Sequence, residues 1–241
     1  MDNCLITGTS TGIGYAVAIH LARNGFRIHA TMRDLTKKRS LQETIETEKL
    51  PIVMHRLDVT DRSSIDEVVA DILDSDGHID ILINNAGMSP LYDKLSDVPE
   101  ALFDKVIDVN LKGPFRVMAY AGERMAESGG GSIINISSTA SLHPSPNAAA
   151  YGAAKAGLNS LTQSFAHALG PSVRVNCIVA GPFLTDISKA WDLEAFEASQ
   201  EGFRAIPRGG DPKEIVGAAL YFASPTSSFT TGTLVTVDGG G

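Results

Sequence analysis

Thr7-Gly8-Thr9-Ser10-Thr11-Gly12-Ile13-Gly14 joins a short apolar run, Cys4–Thr7, to an amphipathic stretch that stops at Gly25. Glycines allow a tight turn and let a phosphate approach the backbone closely. A helix N-terminus behind them offers free N–H groups and the positive end of a dipole. Position gives the octet its weight, because it follows the first strand directly and opens the first helix. On its own, a loop with three glycines also fits a simple tight turn.

Outward from this loop, short apolar runs alternate with longer helical stretches. The runs are Cys4–Thr7, Ile28–Met32, Ile52–Leu57, Ile81–Ile83, Ile133–Ile136, Val173–Val179 and Leu234–Val237. Between them lie segments such as Ile65–Leu73, with apolar residues at 65, 68, 69, 72 and 73. This alternation predicts an α/β fold: a doubly wound, Rossmann-type, seven-stranded parallel sheet flanked by helices. Gly25 reads as a helix stop, and Asp211-Pro212-Lys213-Glu214 as an N-cap, a first-turn proline and a capping-box acid. No repeat or linker divides the chain, so residues 1–241 read as one domain. Its least regular part is Pro182–Gly210, with Trp191 and three phenylalanines. This part is either a substrate lid or a solvated helical insertion.

Composition narrows the function classes. The chain has 241 residues, 43% of them hydrophobic, and a net charge of −8, which suits a soluble globular domain. An acidic chain with no basic run beyond Lys37-Lys38-Arg39 argues against a nucleic-acid partner. No apolar run approaches the roughly 20 residues of a membrane span. Cys4 and Cys177 sit in apolar runs and read as buried thiols, and the first strand begins by Asn3, leaving no room for a signal peptide. A cytoplasmic location is the expectation. The six histidines are scattered, without metal-ligand spacing.

Tyr151 and Lys155 stand four apart in an alanine-rich helical stretch, which puts them on one helix face. A neighbouring ammonium favours the phenolate and brings a tyrosine pKa toward the operating pH, as acid–base catalysis requires. A surface tyrosine beside a solvated lysine is the plainer alternative. Ser138 ends the run Ile133-Ile134-Asn135-Ile136-Ser137-Ser138, at the strand edge where open α/β sheets place ligands, with Ser137 as the competing hydroxyl. Asn110 lies in a helical stretch, Glu100–Glu127, that Gly113-Pro114 interrupts. Pro114 has no N–H to offer the carbonyl four residues back, so a freed acceptor is expected at Asn110, or else a helix kink with no catalytic meaning.

The loop spacing Gly-x-x-x-Gly-x-Gly, Asn84-Asn85-Ala86-Gly87 after the fourth strand, and Asn110, Ser138, Tyr151 and Lys155 in order together resemble the short-chain dehydrogenase/reductase family. The resemblance runs over nearly the whole chain and closes on Asp238-Gly239-Gly240. It implies an oxidoreductase that interconverts a ketone and a secondary alcohol. Tyr151 would be the general acid/base, Ser138 would hold the substrate oxygen, and Lys155 would tune Tyr151 and bind the nicotinamide ribose. The Asn110 carbonyl would hold a proton-relay water. It further implies cofactor contacts from Gly8, Ser10, Thr11, Gly12 and Ile13, from Asp58 and Val59, from Asn85, Ala86 and Gly87, and from Phe183 and Thr185. One departure is Ala180-Gly181 where the family usually has Pro-Gly.

Met32 takes the place of the acid that would bind an adenosine ribose 2′-hydroxyl, and Arg33 follows it, the arrangement that suits a 2′-phosphate. NADP(H) is therefore expected over NAD(H). The substrate is a small carbonyl or alcohol: a 3-oxoacyl thioester, as in reductases of acyl-carrier-protein substrates, or a sugar, steroid or other free carbonyl. A cofactor-sensing scaffold is the remote non-enzymatic alternative. A homodimer or homotetramer is expected from the resemblance.

Overall fold

The computed structural model describes residues 1–185, 188 and 193–241. Its strands are β1 (Asn3–Thr7), β2 (Arg27–Met32), β3 (Ile52–Arg56), β4 (Ile81–Asn84), β5 (Gly131–Ser138), β6 (Val173–Ala180) and β7 (Leu234–Val237). They form one sheet in the order β3-β2-β1-β4-β5-β6-β7, every pair parallel. Each expected apolar run became a strand, its ends unchanged or shifted by one or two residues. The shift is greatest in β5, whose ladder with β6 carries both strands past the apolar run to pair Ser138 with Ala180.

The helices are α1 (Gly12–Arg23), α2 (Arg39–Glu48), α3 (Arg62–Asp76), α4 (Glu100–Ile107), α5 (Gly113–Glu127), α6 (Ala149–Leu169), α7 (Leu193–Gln200) and α8 (Val216–Ala223). They cover both faces of the sheet. One core packs α1 and α8 residues such as Leu21 and Phe222 on Ile6, Ile28 and Ile178. The other packs α3, α5 and α6 residues such as Val69, Met118 and Leu158 on Leu5, Leu82 and Val175. Adjacent strand positions thus feed opposite layers, as the pleat requires. Among the described residues no helix is long and apolar enough to cross a membrane.

Two local readings held. Gly25 has φ of 89° just past α1, and Asp211 and Glu214 form a reciprocal capping box ahead of α8. The expected helix 100–127 is different in detail. Between α4 and α5 the chain makes a wide π turn over Asp108–Lys112, in which the Gly113 N–H donates to the Asp108 carbonyl, five residues back. Pro114, at the start of α5, lacks the N–H that would continue α-type bonding to Asn110, and one extra residue is accommodated in the turn. Trp191 lies outside the described residues.

Strand order reverses between β1 and β4, with β2 and β3 on one side and β5 to β7 on the other. In such sheets the crevice at the carboxyl ends of the strands beside this switch point receives the ligand. The loops after β1, β4, β5 and β6 all open there.

Candidate active site

A cleft of about 990 Å³ runs along this crevice. Gly8, Ser10, Thr11, Gly12 and Ile13 line it after β1, Asn85, Ala86 and Gly87 after β4, and Asp58 and Val59 after β3. Arg33 bounds one end; Ser138, Tyr151 and Lys155 converge on the other, beside Phe183 and Thr185. The fold has therefore collected residues spread from position 8 to position 185. Of the predicted site residues only Asn110 is absent from the cleft wall.

Backbone and side chains hold the glycine loop in place. Gly8 has φ of 72°, and a Cβ there would lie 2.7 Å from Ala86 Cα. Glycine alone combines that dihedral with that approach. The Asn85 amide donates to the carbonyls of Thr7 and Gly8 at 3.0 and 2.8 Å, while Thr7 Oγ1 accepts the N–H groups of Asn85 and Ala86. Thr11, the residue ahead of α1, makes no side-chain cap. The first N–H groups of α1 are thus left for an anion in the cleft. A Cβ-free cradle and an uncapped helix start suit the phosphates of a dinucleotide.

At the far end Asp34 also lines the wall. Its carboxylate is folded onto Thr36, accepting the backbone N–H at 2.9 Å and the hydroxyl at 2.7 Å, and keeps its negative charge. This hydrogen bonding holds its pKa below the ordinary carboxylate range. Lys37 joins Arg33 on the wall. The sequence marked Lys37 only as part of a basic run, not as a cofactor contact; the signal was a lysine in the turn that follows Arg33.

At the catalytic end, Tyr151 and Lys155 share α6, and Ser138 ends β5. Lys155 is 4% exposed and donates through Nζ to the Ile136 carbonyl at 2.8 Å. Burial pulls its ammonium down to about 8. Nζ lies 5.8 Å from the centre of the Tyr151 ring. Burial and Ser138, not Lys155, are the influences on the Tyr151 pKa in this arrangement. Burial raises Tyr151 above the ordinary phenol value, opposed by a hydrogen bond with Ser138. Burial thus favours the neutral phenol, while the Lys155 ammonium is bonded to a strand carbonyl. The Ser137 hydroxyl is engaged, donating to the Lys155 carbonyl at 3.2 Å, whereas Ser138 is the hydroxyl bonded to Tyr151.

Asn110 is fully buried beneath the cleft. Its amide donates to the carbonyls of Met88 and Val106, both at 2.9 Å, and its Oδ1 accepts the Met88 N–H at 3.1 Å. The side chain thus pins the loop after β4 to the π turn, a role that helix periodicity does not reveal.

The expected lid region supplies Phe196, Gln200, Phe203 and Arg204 to the cleft wall. Arg204 Nη1 lies 3.5 Å from Asp238 Oδ2, with both side chains nearly buried. This ion pair fastens the segment after α7 to the end of β7. Pro182 and Phe183 follow the atypical Ala180-Gly181, and Phe183 still reaches the cleft.

Comparison with known proteins agrees with this geometry. Residues 8–241 match the family model described as enoyl-(acyl carrier protein) reductase. The chain is 34% identical to dehydrogenase/reductase SDR family member 4 of Bos taurus over 100% of this chain and 88% of that protein. It is 36% identical to the 3-oxoacyl-[acyl-carrier-protein] reductase FabG of Thermotoga maritima, over 98% of this chain and 96% of the relative. A short-chain type dehydrogenase/reductase from Mycobacterium marinum superposes with a TM-score of 0.91 at 30% identity, over 99% of this chain and 94% of that one. The chain belongs to the short-chain dehydrogenase/reductase family and is an NAD(P)(H)-dependent oxidoreductase that interconverts carbonyls and alcohols.

Proposed function

We propose that the chain works with NADP(H) in preference to NAD(H), with Tyr151 as the proton donor and acceptor and Ser138 as the holder of the substrate oxygen. The convergence of Ser138, Tyr151 and Lys155 at one end of a cleft whose other end is the glycine loop carries this reading. When bound, the cofactor supplies or accepts the hydride. The glycine loop and the start of α1 would hold its phosphates, and Asp58, Val59, Asn85, Ala86 and Gly87 its adenosine half. Lys155, Phe183 and Thr185 would hold the nicotinamide half. Arg33 and Lys37 provide two cations for a 2′-phosphate, against the single carboxylate of Asp34, which Thr36 holds.

In the reducing direction Ser138 would fix and polarise the carbonyl oxygen, and Tyr151 would give it a proton. A phenol kept protonated by burial suits that direction. Lys155 would supply positive charge beneath it, and the Asn110 carbonyl an acceptor for proton relay. From the 182–210 segment, Phe196, Gln200, Phe203 and Arg204 would cover the substrate as a lid.

For the substrate, a 3-oxoacyl thioester is the first candidate, supported by the likeness to the Thermotoga maritima reductase. A free carbonyl such as a sugar or steroid is favoured by a separate observation. Arg124, a cation that could grip an acidic carrier, is stacked 3.7 Å over the Tyr120 ring and donates to the Tyr120 carbonyl. NADPH oxidation with acetoacetyl-CoA, alongside Tyr151→Phe, tests the reading. Turnover abolished in the variant supports it; turnover retained in the variant overturns the role of Tyr151. Binding of NADPH without turnover of the thioester moves the substrate to free carbonyls.

We further propose a homodimer or homotetramer, since Phe229 and the β7 residue Val235 present apolar surface to solvent. A monomer of 25.5 kDa by light scattering would refute it. Two free, buried cysteines fit a reducing, cytoplasmic setting.

A further inference from the structure

The turn that carries Ser138 is fastened to the catalytic helix by polar groups absent from the mechanism so far. Ser138 Oγ accepts the Ala140 N–H at 3.2 Å and also shares a hydrogen bond with Tyr151. The Ser138 carbonyl accepts the Ser141 hydroxyl at 2.6 Å. Ser141 Oγ in turn accepts the Asn159 amide at 2.8 Å. Asn159 sits on α6 one turn beyond Lys155, is 8% exposed, and has its own Oδ1 facing the Cys177 thiol at 3.7 Å. A second fastening is steric. A Cβ at Gly152, the residue after Tyr151, would lie 2.8 Å from the Ala140 carbonyl oxygen, so the turn rests directly on the helix.

These contacts form one connected string: Cys177 on β6, Asn159 on α6, Ser141 and then Ser138. Ser138 ends a strand and Tyr151 starts a helix, so their relative placement is not set by either element's own hydrogen bonds. It depends on whatever joins the turn 138–141 to α6. Packing at Gly152 limits how close the two can come but does not orient the turn. Ser137 Oγ on the Lys155 carbonyl and Lys155 Nζ on the Ile136 carbonyl tie the end of β5 to α6; beyond it, the directional link to the turn is the Asn159 amide, acting through a hydroxyl that meets the Ser138 backbone.

We propose that Asn159, acting through Ser141, is a positioning residue that holds the Ser138 hydroxyl in register with the Tyr151 oxygen. This rests on the catalytic reading of Ser138 and Tyr151. Removing either member of the string leaves the turn seated on Gly152 and the end of β5 tied to Lys155, but takes away the bond that orients residue 141 against α6. Misplacement of a reacting group by a fraction of a bond length to one ångström costs up to roughly 100-fold in rate.

The test compares Asn159→Ala, Ser141→Ala and Ser141→Thr with wild type and Tyr151→Phe. Turnover is followed as NADPH oxidation by acetoacetyl-CoA. The Tyr151 hydroxyl is titrated by NMR of isotope-labelled tyrosine, assigned through Tyr151→Phe, a readout that needs no substrate. The expected result is a kcat lower by roughly 10- to 100-fold in both alanine variants, with KM for NADPH unchanged. The Tyr151 titration moves to higher pH, because the hydrogen bond from Ser138 that favours the phenolate is lost. Ser141→Thr keeps the hydroxyl and retains wild-type values. A purely structural role would lower melting temperature without moving that titration, and would overturn the proposal. Should Asn159→Ala fail to fold, Ser141→Ala decides alone. Turnover retained in Tyr151→Phe would mean that the catalytic reading itself is wrong. An inactive Tyr151→Phe beside alanine variants with wild-type kcat and tyrosine titration would overturn the positioning role only. If acetoacetyl-CoA is not reduced, the titration decides, an unmoved Tyr151 counting against the proposal.

Discussion

The phenolic oxygen of Tyr92 accepts the backbone N–H of Ala150 at 3.2 Å, one residue before Tyr151. Ala150 lies in the first turn of α6, where backbone donors have no partner within the helix, and it is 2% exposed. The backbone of Tyr92 also donates to the Asn147 carbonyl at 3.3 Å. The loop after β4 is thus held by Asn110 at Met88 and by the start of the catalytic helix at Tyr92.

Tyr92→Phe keeps the ring and removes only the acceptor. It is expected to destabilise the fold by about 1–3 kcal/mol, the cost of a buried donor left without a partner. Thermal or urea unfolding of the variant checks this. A melting curve superimposable on wild type would show that water takes over the Ala150 N–H.

Pro114→Ala restores an N–H four residues beyond Asn110. With an α-type bond to Asn110 available, the π turn over 108–112 loses its reason to stay wide, and the Asn110 carbonyl becomes occupied. Proton transfer is expected to slow, visible as a reduced kcat and an altered pH profile. Unchanged kinetics across the pH range would leave the proline as a helix feature without catalytic consequence.

Lys37→Ala and Arg33→Ala each remove a cation from the adenosine end of the cleft. Charge-assisted hydrogen bonds are worth about 1.5–3 kcal/mol, so kcat/KM with NADPH should fall roughly 10- to 100-fold per substitution while that with NADH changes little. Parallel steady-state kinetics with the two cofactors measure this. Equal losses with both would remove the 2′-phosphate assignment.

His29 on β2 provides a stability prediction. Its Nδ1 lies 3.1 Å from His55 Nε2 on β3, and its Nε2 lies 3.2 Å from Asp76 Oδ2, with Arg27 on the other carboxylate oxygen at 2.9 Å. Burial first, then the neighbouring His55, lower the His29 pKa to about 4, against the pull of Asp76. The folded value lies below the unfolded one, near 6.5, so folding releases this proton. Its contribution to stability is present above pH 6.5 and is lost as pH falls toward 4. Replacing His29 with Gln should therefore flatten the decline in melting temperature between about pH 7 and pH 5. Parallel curves for variant and wild type would rule out His29 as the titrating group.

Much of this protein was determined locally, by periodicity and spacing. Apolar runs alternating with amphipathic stretches place strands and helices because each must bury one face, so the seven-stranded parallel sheet was readable. Glycines at 8, 12 and 14 after a strand could be read because backbone without Cβ has few other uses there. Tyr151 and Lys155 share a helix face by arithmetic alone. The tertiary structure decided what depends on residues far apart in the chain. Lys155 turns to the Ile136 carbonyl, so burial rather than its charge governs Tyr151. Asn110 spends its side chain on Met88, Asp34 folds onto Thr36 while Lys37 joins Arg33, and Asn159 reaches Ser138 through Ser141. Each depends on which polar partner lies nearest once strands and helices have packed. A buried donor must find an acceptor wherever the fold supplies one, and sequence spacing does not encode that distance.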